Sequence, residues 1–356
     1  MISTPSQYNE LLNQLTLEHE IALDTEADSL YCYFEKLCLI QIGLPNGFFL
    51  LDPLSSLPLM EFFQALEGKR LIFHDAYYDL SLLRRWGPFP DHHLFDTMIA
   101  ARLCGETHLG LAALVEKYFR VTLSKVSRKA NWAQRPLSSS MIDYALNDVR
   151  YLHQLAALFE EKLSGLGRLE WFYQSQDRMI RSTREIRTKG EEERWRLPGY
   201  SKLSLRSQAL LRALWKWRDD QARQSNKPSF YILSNEELLQ IAHWAPEKKV
   251  VPKIAQARRA SFEEVLEMAL SLPEEQWPKP LEKKMTRMTK EEIKHIQVLK
   301  EKRDKVALEL GMNPSIIASK LSLELTVRDR SSSTLLPWQQ QVLGIESPLF
   351  SNDHAS

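Results

Sequence analysis

The chain has 356 residues, with 47 basic and 46 acidic side chains, 44% hydrophobic residues and three cysteines. That length suits two or three domains, while an odd cysteine count (Cys32, Cys38, Cys104) without a C-x-x-C pair argues against a disulfide framework or a zinc finger and for a reducing compartment. No apolar run approaches the ~18 residues of a membrane span, and the first residues lack the basic and apolar regions of a signal peptide, so a cytoplasmic chain without a membrane partner is expected.

Residues 6–18 read as a short helix, and 21–24 as an apolar strand that runs into Asp24-Thr25-Glu26. Strand side chains alternate between faces, so Asp24 and Glu26 point the same way. Like charges on one face repel unless a cation lies between them. Hard oxygen ligands suit Mg²⁺ or Mn²⁺; a solvated strand end is the alternative. Residues 37–43 and 48–52 are two further strands joined by an Asn46-Gly47 hairpin signal, which predicts an antiparallel meander. A helix over 58–67 and a fourth strand over 70–73 follow.

The run from His74 to Leu83 opens a helix, with Asp79, Leu82 and Leu83 at helical spacing. Another helix starts at Asp96, read as its N-cap, and reaches Leu103. Residues 109–119 form a helix, and 124–129 a basic loop. A helix from 138 to about 162 carries Tyr144 and Asp148 on one face. Strands first, then helices, with helices also between strands, give an α/β layer on a mixed sheet. Residues 168–200 read as one long basic connector helix, its arginine stripe from Arg178 to Arg187 being either a polyanion path or a solvated face. All later segments read as helical: 207–223, 234–244, 252–259, 261–270 and 291–310. Gly311-Met312-Asn313-Pro314 takes the place of Asn226-Lys227-Pro228, and a helix at Trp338 follows, which suggests a degenerate repeat of about 80 residues. The tail after Gly344 reads as disordered.

Charge is distributed unevenly. The first 167 residues hold 14 basic and 20 acidic side chains, the remainder 33 and 26. Ordinary surface variation accounts for this as well as a metal site in front of a polyanion-holding surface does. Four carboxylates stand out: Asp24, Glu26, Asp79 and Asp148. Phosphodiester hydrolysis by two cations ~3.5–4 Å apart needs such a cluster. Tyr144, one turn before Asp148, is placed to orient a water. With a reference pKa of ~10, its phenol is a poor base.

Asp24-x-Glu26, then His74-Asp75-Ala76-Tyr77-Tyr78-Asp79-Leu80, then Tyr144-x-x-x-Asp148 resemble the three motifs of the DEDD exonucleases, in the DEDDy branch. Leu39-Ile40-Gln41-Ile42, Phe95-Asp96-Thr97 and Trp132-x-x-Arg135-Pro136-Leu137 narrow the resemblance to the ribonuclease D family. Trp215-Lys216-Trp217-Arg218-Asp219 with Asn226-Lys227-Pro228 is similar to an HRDC domain, and 289–345 to a second, diverged one. The resemblance implies an α/β, RNase H-like exonuclease domain with a mixed sheet over 1–167, a connector helix over 168–204, an HRDC domain over 205–280 and a second HRDC-like domain over 285–346. It implies 3′→5′ hydrolysis of RNA to nucleoside 5′-monophosphates in tRNA 3′-end maturation, with two divalent ions, Mg²⁺ or Mn²⁺, and no obligate protein partner. By position Asp24, Glu26, Asp79 and Asp148 would be metal ligands and Tyr144 the water-orienting residue, with Thr25, His74, Asp75 and Tyr78 at the substrate. Position 75 departs from the family, which usually has Asn there. A DNA exonuclease of the same superfamily and a non-catalytic nucleic-acid-binding protein are the alternatives.

Overall fold

The computed structural model describes residues 1–124, 126–184, 193–246, 254–280, 288–328 and 334–345. Two compact units form: one of Met1–Glu26, Leu37–Glu185 and Arg287–Ser356, the other of Ala27–Lys36 and Ile186–Thr286.

The first unit is built on strands β1 (Glu20–Ala27), β2 (Leu37–Leu44), β3 (Gly47–Leu51), β4 (Arg70–Phe73) and β5 (Leu94–Asp96). They lie in the order β3-β2-β1-β4-β5. β2 and β3 are antiparallel, while β1/β4 and β4/β5 are parallel, so the sheet is mixed as the sequence indicates. Its helices are α1 (Pro5–Leu17), α2 (Leu59–Ala65), α3 (Tyr77–Leu83), α4 (Thr97–Leu103), α5 (Leu111–Phe119), α6 (Ser139–Arg150), α7 (Leu152–Gly165) and α8 (Leu169–Arg184). All eight residues of β2 are buried, which a strand covered on both faces requires.

One glycine sets the position of α6. A Cβ on Gly43 would lie 3.1 Å from the Cβ of Ala22 in β1 and 3.2 Å from the carbonyl oxygen of Val149 in α6. The missing side chain lets α6 settle directly on β2. Arg135 anchors the loop before that helix. Its guanidinium holds both carboxylate oxygens of Asp52 (2.7 and 2.6 Å) and the carbonyls of Cys38 and Trp132 (2.7 Å each). Such a bidentate fork fixes direction as well as distance. Trp132, Leu137, Met141 and Ala145 then fill the core under α6 together with Cys38, Leu39 and Leu50.

Several elements differ from the sequence reading. The strand β5 has three residues, too few to show a period of two, so the sequence there predicts only the entry to a helix. As the edge of the sheet it leaves backbone groups open, and Gln176 of α8 takes two of them. The Gln176 amide nitrogen donates to the Leu94 carbonyl (2.5 Å), and its oxygen accepts from the Asp96 N–H (3.0 Å). The helix expected over 138–162 is interrupted at Tyr151 (φ −107°), whose ring stacks on Phe119. The run from His74 does not start helical. Asp75 is left-handed (φ 66°) and α3 begins only at Tyr77. Residues 169–184 of the expected connector are helix α8, with Phe172, Gln176, Ile180 and Thr183 buried in the first unit. Residues 194–199 are not helical. Arg187, the start of the 252–259 helix and the tail from 346 lie outside the described residues.

The second unit contains α9 (Leu205–Ser225), α10 (Ser229–Ile232), α11 (Asn235–Trp244) and α12 (Gln256–Leu270). Two helices were expected where α12 runs unbroken. The Ser261 hydroxyl donates back to the Arg258 carbonyl (3.1 Å) and accepts from Trp217 Nε1 (3.1 Å), so the helix continues through it. Within this unit, Asn226 Oδ1 accepts from the amides of Tyr33 (3.2 Å) and Phe34 (3.1 Å), and the Tyr33 hydroxyl donates to Asp219 (2.9 Å).

The first unit closes with α13 (Lys290–Leu310), α14 (Pro314–Ile317), α15 (Lys320–Arg328) and α16 (Pro337–Leu343). α13 to α15 repeat α9 to α11 at a constant spacing of 85 positions. α9 and α13 each have 21 residues, capped by Ser204 and Thr289 and ended by left-handed Asn226 and Gly311. The four-residue helices α10 and α14 follow, each closed by an extended residue, Leu233 or Ala318. Arg218 donates to the Leu233 carbonyl (3.0 Å) and Arg303 to that of Ala318 (3.1 Å). The second copy shares a core with the exonuclease-like layer. Arg168, buried, joins them by donating to the carbonyls of Leu103 and Leu310 (2.7 Å each). Both are last residues of helices, where the helix dipole favours a cation.

Candidate active site

Asp24 and Glu26 stand two apart on β1, and Asp148 comes from α6. Each offers a carboxylate oxygen, and these oxygens lie within 4.8 Å of one another. At an effective dielectric of ~20, two unit charges at that distance repel by about 3 kcal/mol. The cluster therefore holds protons. Burial, reinforced by the carboxylates of Asp79, Asp148 and Glu26, drives Asp24 well above the usual carboxylate range. Burial, then Asp148 and Asp79, pushes Glu26 up to about 9. Asp148 is raised to about 7 by burial and by the charge of Asp79. Oxygen-only donors, recessed and mutually repelling, fit hard divalent cations.

Asp79 sits beside this triad, buried, with its Oδ1 accepting the Thr25 hydroxyl (2.5 Å). Burial raises it to about 7, opposed by the bonds from Thr25 and from its own backbone. Thr25, expected at the substrate, is 7% exposed and gives its hydroxyl to this carboxylate. Tyr144 lies one turn before Asp148 and lines the same cavity, its ring 6.0 Å from that of Trp132. Burial and the three carboxylates raise its phenol far above the ordinary value, so it stays protonated and acts as a donor.

The cavity measures about 430 Å³. Asp24, Glu26, His74, Asp75, Tyr144 and Asp148 line it, together with Arg128 and Asn147. Tyr78, expected at the substrate, is not in that lining; it is exposed on the first turn of α3. His74 donates from Nδ1 to the Thr97 hydroxyl (2.8 Å), because Thr97 gives its own proton to the Phe73 carbonyl (3.0 Å). Burial holds the imidazole below its ordinary pKa.

The sequence reading assigned Asp96 a cap, and the structure adds a second duty. Its carboxylate accepts from the amides of Met98 (2.8 Å) and Ile99 (3.2 Å) at the start of α4. It also accepts from Asp75 (3.2 Å) and Ala76 (2.8 Å). The left-handed turn at Asp75, which leads into the helix carrying Asp79, is thus wound over Asp96. Arg128 belongs to the basic loop before Trp132, which the sequence leaves as either near the substrate or solvated, and it lines the cavity. Asn147 also lines it and is a candidate that spacing gave no means to find, since it precedes Asp148 and carries no periodic signal.

Residues 1–164 match the family model described as a 3′-5′ exonuclease, and residues 207–250 match that of the HRDC domain. A ribonuclease D of Xanthomonas oryzae pv. oryzae is 31% identical over 357 aligned positions, which cover 96% of this chain and 95% of that protein. A ribonuclease D of Haemophilus influenzae is 27% identical, covering 94% of this chain and 88% of that one. Among solved structures, the fold is similar to that of a protein from Bifidobacterium adolescentis (TM-score 0.79, 24% identity, 96% and 94% of the two chains). It is also similar to that of Escherichia coli RNase D (TM-score 0.73, 24% identity, 97% and 96%). With an acidic cluster of this geometry in an exonuclease layer, and likeness along nearly its whole length, the chain belongs to the ribonuclease D family.

Proposed function

We propose that this protein is a 3′→5′ exoribonuclease that releases nucleoside 5′-monophosphates one at a time, with precursors of tRNA as its substrates. The observation that carries this reading is the meeting of Asp24, Glu26 and Asp148 within 4.8 Å at the floor of an open cavity. Asp24, Glu26, Asp148 and the adjacent Asp79 would hold two divalent cations, Mg²⁺ or Mn²⁺. Bound there, such ions supply an activated water and neutralise charge on the scissile phosphate. The chain's own residues do the rest. Tyr144, kept as a phenol, donates a hydrogen bond that orients the attacking water. The water oxygen bonds to phosphorus in line with the departing 3′-oxygen, which leaves with a proton as the new strand end. Thr25 keeps Asp79 aimed, and Asp96 keeps the turn before it in place. His74 and Asp75, in the cavity wall, are proposed to contact the terminal nucleotide. Tyr78 and Thr25 keep that assignment only through their backbone or through neighbours.

The same proposal includes the division into an exonuclease domain (1–167), a connector (168–204), an HRDC domain (205–280) and a second HRDC-like domain (285–346). The extent of the two family matches and the 85-residue repeat support it. The test is hydrolysis of 3′-labelled RNA and DNA of one sequence with Mg²⁺ or Mn²⁺, by the native protein and by Asp24→Asn. RNA-preferring release of 5′-monophosphate, lost in the variant with its melting intact, is expected. Preference for DNA, or RNA affinity without any product, would replace this reading.

A further inference from the structure

Beside the catalytic cavity lies a larger one of about 1130 Å³, between α4 and α8 on one side and α13, α14 and α16 on the other. Asp75 and Met98 belong to the walls of both, so the two cavities meet there. Tyr77, 51% exposed, stands in the wall of the larger cavity. Arg102 from α4 and Arg178 from α8 also line it.

Among the described residues, the two guanidiniums of this cavity are not paired with the carboxylates that share its walls. Among the described residues, neither Arg102 nor Arg178 forms an ion pair; Arg178 donates only to the Thr334 carbonyl (3.2 Å). Three carboxylates share the walls. Glu106 is engaged by Lys117 (2.5 Å) and the Tyr118 hydroxyl. Asp96 is held by its amide donors. Asp75 alone remains, and the charge of Arg102 already acts on it. Two guanidiniums in a polar trough suit a polyanion, since arginine forks match phosphate. Cavities of roughly 300–1,000 Å³ take a drug-sized ligand, so this one suits about two or three unpaired nucleotides.

Resting on the exoribonuclease reading, we propose that the cavity is the track of the RNA strand upstream of the scissile phosphate. Arg102 and Arg178 hold backbone phosphates there, and Tyr77 stacks under the base that follows the terminal nucleotide. The second HRDC-like repeat thereby forms one wall of the substrate path, and Arg168 keeps that wall in place.

The experiment compares a dinucleotide, whose one internucleotide phosphate is the scissile one, with an unpaired RNA of about ten nucleotides, which adds the backbone phosphates of the track. The proteins are native, Arg102→Ala, Arg178→Ala, and Arg102→Lys combined with Arg178→Lys. Each alanine variant is expected to raise KM for the longer RNA by about tenfold and to lower the salt slope of its binding by about one. The penalty on the dinucleotide should be several-fold smaller, and the lysine variant should recover most of the affinity. Equal penalties on both substrates, no penalty on either, or a lysine variant as impaired as alanine would overturn the track. A native protein inactive on both substrates would instead overturn the exoribonuclease reading beneath it.

Discussion

Three carboxylates that repel one another are stable in a folded protein only as acids or as ligands. Glu26 at about 9, and Asp79 and Asp148 at about 7, lie above the ~4 of unfolded carboxylates. Between those values the metal-free fold binds more protons than the unfolded chain, so these groups make stability fall as pH rises. Metal binding requires the protons to leave. The rise in Tm on adding Mn²⁺ should therefore grow from about pH 5.5 to 8, and scanning fluorimetry across that range checks it. A rise that is flat or shrinks with pH would contradict a carboxylate site. Tyr144→Phe keeps the contact with Trp132 and removes the donor. It should lower kcat by about 10²–10³-fold with the metal-induced rise in Tm unchanged. Much at this scale was legible in the sequence. A period of two places Asp24 with Glu26, and one helical turn places Tyr144 with Asp148. The bond from Thr25 to Asp79 spans 54 positions and has no local signal. The same holds for the amides of Asp75 and Ala76 on Asp96, some 20 positions away.

At the scale of elements, the site depends on how closely α6 lies on the sheet. Gly43→Ala would place a methyl against Ala22 and the Val149 carbonyl, at 3.1 and 3.2 Å. The helix must then shift by a few tenths of an ångström and carry Asp148, the neighbour of Val149, with it. A loss of stability of about 1–3 kcal/mol, as for other overpacked cores, together with a fall in kcat larger than the change in KM, is expected. Denaturant melts and steady-state kinetics measure the two. Native kinetics would show that this contact does not position the site. The mixed sheet and the hairpin were readable because apolar strands and turn residues are local signals, although the loop is Pro45-Asn46 and Gly47 already pairs with Leu44. The edge strand β5 was not, because three residues show no period of two and its open edge is met by a glutamine on α8, 80 positions away. Nor was the continuity of α12, where Ser261 uses its hydroxyl inside the helix.

For the whole molecule, the repeat at 85 positions shows one helical design in two settings. Leu233 and Ala318 receive the same arginine bond, yet Asn226 accepts from Tyr33 and Phe34 while Gly311 has no side chain to do so. A Cβ on Gly105 would come within 2.4 Å of the Gly311 carbonyl oxygen, so α4 and α13 meet end to end at glycines. The repeat itself could be read from sequence, since Gly311 and Asn226 share a place in the pattern. Its burial against the exonuclease layer could not, because Arg168 offers nothing in sequence to show which carbonyls it joins. The most direct measurement of the central claim is release of nucleoside 5′-monophosphate from 3′-labelled RNA in Mn²⁺ by Asp148→Asn beside the native protein. A cation-holding cluster predicts a loss of at least about 10³-fold with RNA affinity and melting retained. Release within about tenfold of native would contradict it.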